Sequence, residues 1–232
     1  MNDQNYNSRI YSEKEIKHIE KKVLLLGNQA KYDAITYLNI RLLTTVLVFI
    51  LVLYTTKASY IYAPILSFIY YHLFNYLVFT KKIKERGKKL DREALNFFEI
   101  LTLTLESGRN LENALEITVF NVDSEISDEF KKALFEIKFG KSLLEALEDM
   151  KKRIPSETIN NIILNITQTN IFGNSILDTM YNQIDFLRDK QILEIKEQIN
   201  KIPNKISIIS VIFIVPLILL LVLGPFLIEI LV

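Results

Sequence analysis

Three short stretches hold the residues whose types and spacing invite a chemical reading: SGRNLENAL (107–115), FGKSLLEAL (139–147) and FGNSILDTM (172–180). In each, a glycine stands two residues ahead of Asn or Ser, and Gly108, Gly140 and Gly173 lie 32 and 33 residues apart. The middle copy, Gly140–Lys141–Ser142, has the Gly-Lys-Ser ending of a phosphate-binding loop. Such a loop needs another glycine five positions upstream and a strand leading in, so that backbone N–H groups converge on phosphate. Here that position is Phe135, inside a run of helical periodicity, and the phosphate reading fails on both counts. Nucleophilic catalysis fares no better. Ser107 and Ser142 would need a base, but His18 stands in the N-terminal tail and His72 in an apolar run. With two histidines and no cysteine, a His-rich or thiolate metal site is closed, as are disulfides. The sequence offers no catalytic, cofactor-binding or metal-ligating residues, and the chain is read as not an enzyme.

The same three stretches make sense as turns between helices. A glycine just past a helix end adopts the left-handed conformation that releases the last carbonyls. Asn110, Ser142 and Ser175 are then good N-caps for the helix that follows. Glu145, three residues after Ser142, completes a capping box, and Asp178 stands at the equivalent place after Ser175. Apolar stripes at steps of three and four flank every turn. They run through Leu95, Phe98, Thr102 and Leu105; Leu111, Ala114, Leu115 and Thr118; and Phe130, Ala133, Leu134 and Ile137. Further stripes follow at Leu143, Ala146, Leu147 and Met150, at Ile159, Ile162, Ile163 and Ile166, and at Ile176, Met180, Ile184 and Leu187. The expectation is three stacked helical hairpins, six short helices in all.

Composition places this bundle beside a membrane. The 232 residues are 50% hydrophobic yet 24% charged, and both fit only because charge and apolar residues are segregated along the chain. Residues 42–56 and 206–228 carry no charge, and 58–80 carries none apart from His72. An apolar run of about 20 residues crosses a bilayer core. The first run is shorter, and Ile35, Tyr37, Leu38 and Ile40 extend it if Arg41 snorkels to the interface. With only Lys57 between them, the first two runs predict a helical hairpin. A first apolar run that begins some forty residues in, and is followed at once by a second, is not read as a cleaved signal peptide.

Of the 28 basic residues, seven lie at or before Arg41, one is Lys57, and twenty lie in 81–205. Lys81, Lys82, Lys84, Arg86, Lys88 and Lys89 crowd the exit of the second run. The positive-inside rule puts the N-terminus and 81–205 in the cytoplasm and the C-terminus outside. The expected organisation is a cytoplasmic tail over 1–40, a transmembrane hairpin over 41–80, a cytoplasmic bundle over 81–205 and a last span over 206–232. The tail's first twenty residues read as either disordered or an amphipathic helix. The acidic set Asp123, Glu125, Asp128 and Glu129 reads as an exposed turn. The fold class is therefore all-α: three transmembrane helices and a cytoplasmic six-helix antiparallel bundle. A net charge of +1 gives no basic face for nucleic acid.

Taken in order, "SGRNLENALE", "EIKFGKSLLEAL", "FGNSILDTM" and "IPNKISIISVIFIVPLILLLVLGP" resemble the F-domain platform proteins of type II secretion systems and type IV pili. The resemblance is closest to the TadC-like proteins of the Tad (tight-adherence, Flp) pilus, and it covers essentially residues 20–228. Its landmarks are Pro203 and Lys205 at the approach to the last span, and Pro216, Gly224 and Pro225 within it. Where relatives often have Leu-Pro opening the first domain helix, this chain has Glu93–Ala94–Leu95, read as touching no chemistry. The resemblance implies a platform in the cytoplasmic membrane. Its partners would be a hexameric secretion ATPase, a second F-domain platform paralogue and pilin subunits within the lipid bilayer, and self-association into a homo-oligomer is compatible with it. ATP-driven motion would be coupled to pilin extraction and fibre assembly.

Pro203 costs the helix a backbone hydrogen bond, and it is expected to be the joint between a driven bundle and the last span. Two other classes stay open on the residues alone. A channel or transporter is disfavoured, because the spans hold few polar groups beyond His72, Asn75 and some Thr and Ser. A membrane-tethered signalling adaptor with no pilus role is compatible with a neutral helical bundle.

Overall fold

The computed structural model describes residues 11–55, 59–172 and 175–231, and the side chains of all these except 59, 170–172, 204–205 and 224–231. Lys57 and Gly173 therefore lie outside the described residues, as do the side chains of Lys205, Gly224, Pro225 and Glu229. Among the described residues there is no strand. Helix α1 covers Glu13–Leu26, α2 Ala34–Thr55 and α3 Ser59–Asn75. A π-helical turn, Tyr76–Thr80, joins α3 to α4, Lys81–Glu106. Then come α5 (Leu111–Asn121), α6 (Glu125–Lys138), α7 (Leu143–Arg153), α8 (Glu157–Phe172) and α9 (Ile176–Leu231). Three stretches are long and apolar enough to cross a membrane: Ala34–Thr55, Tyr60–Glu106 and Ile176–Leu223. Two compact units meet in sequence between Ile184 and Asp185.

The first unit is built by the turns. Gly108 has φ +80° and Gly140 φ +99°, conformations that cost a residue with a Cβ but not glycine. The amide of Gly140 reaches the carbonyl of Ile137 at 2.9 Å, and that of Lys141 reaches Glu136 at 3.2 Å, so the last carbonyls of α6 are satisfied. Asn110 Oδ1 then accepts from the amide of Asn113 at 2.9 Å. Ser142 and Glu145 form a reciprocal capping box, at 3.2 Å from the Glu145 amide and 3.0 Å from the Ser142 amide. Ser175 accepts from the amide of Asp178 at 3.4 Å.

Packing follows the stripes, with one shift. On α4 the buried face is Leu90, Ala94, Phe97, Phe98, Leu101 and Leu105, while Leu95 is only half-buried. The shift follows from α6, whose Phe130 stacks on Phe97 with centroids 4.6 Å apart and meets Phe98 edge-on at 6.2 Å. Three aromatic rings at one crossing pull that face of α4 inward. The buried threonines Thr102, Thr118 and Thr167 return their hydroxyls to carbonyls four residues back, so no polar cost accrues at these hydroxyls.

In the N-terminal region the amphipathic-helix alternative holds from Glu13 on, and that helix is packed into the protein. Residues 13–26 are a helix with its own apolar face, and α1 packs on α2, α4 and α7. Ile19 and Leu26 of α1, Ala34, Tyr37 and Leu38 of α2, and Phe79 of the π-helical turn form one buried cluster. Phe79 meets Tyr37 at 5.1 Å between ring centroids. This end of the second apolar run is thus covered by protein, and the helix of the first run begins at Ala34, seven residues before the expected boundary. In the second unit, α9 is helical through both Pro203 and Pro216.

Candidate functional site: a buried arginine cluster that fastens the N-terminal helix

Arg86 belongs to the basic run after the second span, six cations in nine residues whose charge sets the expected orientation. Unlike the lysines around it in sequence, its side chain is buried, 0% exposed. It lies on the face of α4 that carries Leu90 and Ala94, and that face turns inward. Its Nε donates to Glu125 Oε1 at 2.6 Å and its Nη2 to Glu129 Oε1 at 3.0 Å. Nη1 donates to two backbone carbonyls, Leu25 at 2.8 Å and Arg153 at 2.6 Å. One guanidinium thereby joins the ends of α1 and α7 to the first turns of α6. The rigid fork of Arg can serve several acceptors at once in a way that a lysine point charge cannot.

The two carboxylates are withdrawn from solvent with the arginine, Glu129 more fully than Glu125. The side chain of Glu129 is 1% exposed and that of Glu125 8%, so the exposed acidic turn expected at 123–129 is corrected for these two. Serine capping explains the geometry: Ser124 accepts from the amide of Ser127 and starts α6, placing Glu125 and Glu129 one turn apart on the inner face. Glu129 is shared, taking Arg153 Nε at 3.1 Å and Lys132 Nζ at 2.9 Å as well as Arg86. Glu125 also accepts from Lys89 at 3.1 Å, and Arg153 Nη1 donates to Glu136 at 2.9 Å. Burial works against ionisation of Glu125. The hydrogen bonds from Arg86 and Lys89 outweigh it and hold the carboxyl below its ordinary value.

Glu93 has a role that its position in the sequence did not show. Its Oε2 accepts from the amides of Glu125 and Ile126, at 2.9 and 3.2 Å, at the start of α6. A carboxylate there satisfies orphan N–H groups and meets the positive end of the helix. Ser156 plays a matching part, capping α8 through the amide of Ile159 while donating to Asp91 of α4.

A second cluster holds the other end of α1. Arg41 does not reach outward as snorkelling required; its side chain is 6% exposed. Nη2 donates to Glu15 at 2.9 Å, Nη1 to Asn75 at 3.5 Å, and the guanidinium stands 4.3 Å over the ring of Tyr71. The hydroxyl of Tyr71 donates to the same Glu15 oxygen at 3.3 Å. Tyr11 reaches Asn39 at 3.1 Å. The cation directly before the uncharged stretch is neutralised inside the protein by α1.

The residues singled out for turns stand apart from both clusters, at the loops after α4, after α6 and before α9. The Ser142 hydroxyl donates to Glu145 at 2.8 Å within its own cap. Among the described residues, no three His, Asp or Glu side chains are grouped to hold a metal. The missed residues, Arg86, Glu125, Glu129, Glu15 and Arg41, are joined across 26 to 67 positions of sequence. No local signal marks such pairs.

Among the described residues the protein is all-helical, with three stretches long and apolar enough to cross a membrane and buried ion pairs that fasten its helices to one another. Residues 97–224 match the model of the family "Type II secretion system (T2SS), protein F", more than half of the 232-residue chain, and the chain belongs to that family. No curated protein and no solved structure matches it. The matched region begins in the middle of α4. Glu125, Glu129 and Arg153 therefore lie inside it, while Arg86, Gly27 and the two N-terminal helices lie outside. The arginine cluster ties the family domain to the chain that precedes it.

Proposed function

We propose that this chain is a platform subunit of a Tad-type (type IV-like) pilus or type II secretion-like machine in the cytoplasmic membrane. It couples a hexameric cytoplasmic ATPase to pilin extraction and fibre assembly, working beside a second F-domain platform paralogue. The observation that carries the reading is the family match, which runs through the bundle and into the last apolar helix. The distribution of Lys and Arg supports a cytoplasmic bundle and N-terminus with the C-terminus outside. The chain acts as a coupler and not as an enzyme. Motion imposed on the bundle reaches the membrane hairpin through α4, which is joined to α3 by the π-helical turn and braced by α1. Two clusters, at Arg86 and Arg41, stop α1 from slipping against either end.

The test is purification of the detergent-solubilised full chain from its own cells, with co-purifying proteins identified by mass spectrometry. Recovery of a secretion ATPase and a second F-domain protein supports the platform role. Recovery of neither, under conditions that hold a known membrane complex together, removes the pilus role and leaves a membrane-tethered adaptor.

A further inference from the structure

The face of α1 that looks away from its buried cluster is only partly covered. Ile16, Ile19, Val23 and Leu26 turn toward α2 and the π-helical turn. On the other side Lys17, Lys21 and Leu24 follow at steps of four and three along one face of the helix. That face, the last turn of α7 and the first turn of α8 border an open cavity of about 790 Å³, within the range of small-molecule sites, ~300–1,000 Å³. Leu24, Leu25 and Ile154 form its apolar part, and its charged lining is four lysines against two glutamates. Lys17, Lys151 and Lys152 hold ion pairs within their own helices, at 2.8, 3.0 and 2.6 Å. Pairs of this kind contribute little and exchange readily for another anion. Lys21 pairs with no carboxylate among the described residues. Asn160, also in the lining, donates Nδ2 to the carbonyl of Ile154 at 3.2 Å. Its Oδ1 is buried and meets no donor among the described residues, which marks a polar group still to be satisfied.

The level of this cavity relative to the bilayer is set by Arg41. Directly beyond it the exposed side chains of α2 are hydrocarbon: Leu42, Leu43, Val46 and Leu47. Glu15 pairs with Arg41 at 2.9 Å, and Lys17 stands two residues further along α1, about 3 Å of helix. The headgroup layer is about 5–7 Å thick on each side of the hydrocarbon, so the basic end of the cavity opens at headgroup depth. We propose that this cavity binds the headgroup of an anionic phospholipid from the adjoining leaflet. Lys17 and Lys21 take the phosphate, Leu24 and Leu25 pack the carbon skeleton, and a headgroup hydroxyl supplies the donor that Asn160 Oδ1 lacks. An acidic protein segment shares the charge of such a lipid, but not the depth at which Lys17 stands. Negative leaflets attract lysines placed at that depth. The proposal rests on the place of α1 beside the bilayer and not on the pilus role.

The full chain, purified in a neutral detergent and stripped of lipid, is titrated with phosphatidylglycerol or with phosphatidylcholine. Bound lipid is counted by native mass spectrometry. Phosphatidylglycerol is expected to bind about tenfold more tightly than phosphatidylcholine. The variant carrying Lys17→Gln and Lys21→Gln is expected to lose that preference with its thermal midpoint kept, since both side chains lie at the surface. Lys17→Arg with Lys21→Arg, which retains both charges, is expected to keep it. So is Lys131→Gln with Lys138→Gln, which removes the same charge from exposed positions on α6. Equal binding of the two lipids overturns the proposal, as does a preference that survives Lys17→Gln with Lys21→Gln. Equal loss in the α1 and α6 glutamine variants also overturns it, by showing attraction to net charge alone. Displacement of phosphatidylglycerol by an equal concentration of inorganic phosphate would mark a free-anion site, and displacement by a polyglutamate peptide a protein-docking site. Either result overturns the lipid assignment.

Discussion

Gly27 and Arg86 occupy adjoining space so closely that a Cβ on Gly27 would stand 2.5 Å from Arg86 Cζ. The glycine has φ +55° and closes α1, and the guanidinium passes directly beneath it to reach the carbonyl of Leu25. Gly27→Ala therefore meets both a backbone conformation that side chains disfavour and a cation held by four hydrogen bonds. Destabilisation of roughly 1–3 kcal/mol is expected, felt first as release of α1. Limited trypsin digestion reads this as faster cleavage at Lys17, Lys21 and Lys22. Cleavage at the wild-type rate would show that α1 is not held through this contact.

Removing Arg86 takes the most buried cation from both carboxylates, leaving Glu125 with Lys89 and Glu129 with Arg153 and Lys132. Arg86→Met is expected to cost about 3–5 kcal/mol, against a smaller loss when Glu129→Met is added to it. Chemical denaturation of the full chain in detergent measures both, and a double variant less stable than either single one would contradict the coupling.

The acid limb of stability should carry the signature of Glu125. Its folded pKa is lowered, so its contribution is present above the unfolded value of about 4.3 and is lost as pH falls through the folded value. Lys89 has a raised pKa, chiefly through its hydrogen bond to Glu125. Its contribution is complete below about 10.4 and is lost as pH rises through the folded value. The thermal midpoint is expected to fall below about pH 4, and Glu125→Gln to flatten that fall while lowering the midpoint at pH 7. An acid limb of unchanged slope in Glu125→Gln would remove this group from the account.

At the turn between α6 and α7, Ser142→Ala removes one half of the capping box. A loss of about 1 kcal/mol is expected, with Ser142→Asp retaining most of the stability. A catalytic serine would behave otherwise: Ser142→Asp would abolish function while stability stayed high. Fibre assembly and thermal midpoint measured together separate the two.

Pro203 stands within α9, where it withholds one backbone hydrogen bond. If it is the joint between bundle and last span, Pro203→Ala stiffens the helix. Pilus assembly is then expected to fall while protein level holds. Assembly and level both unchanged would end that role for the proline.

The residue types and their order by themselves determined the helical class, the three membrane-length runs and the turns of the family domain. Caps and apolar periodicity act over three or four residues. Asn110, Ser142 and Gly140 therefore carry their meaning locally. What only the tertiary structure decided is which charges go inside. Arg86 stands among five lysines that look the same in sequence, and Glu125 and Glu129 stand beside acids that remain at the surface. The difference arises where α1, α4, α6 and α7 converge, through partners 39, 43, 61 and 67 residues from Arg86. A buried charge is tolerable only where several such partners arrive together, and their arrival is a property of the packed helices rather than of any segment.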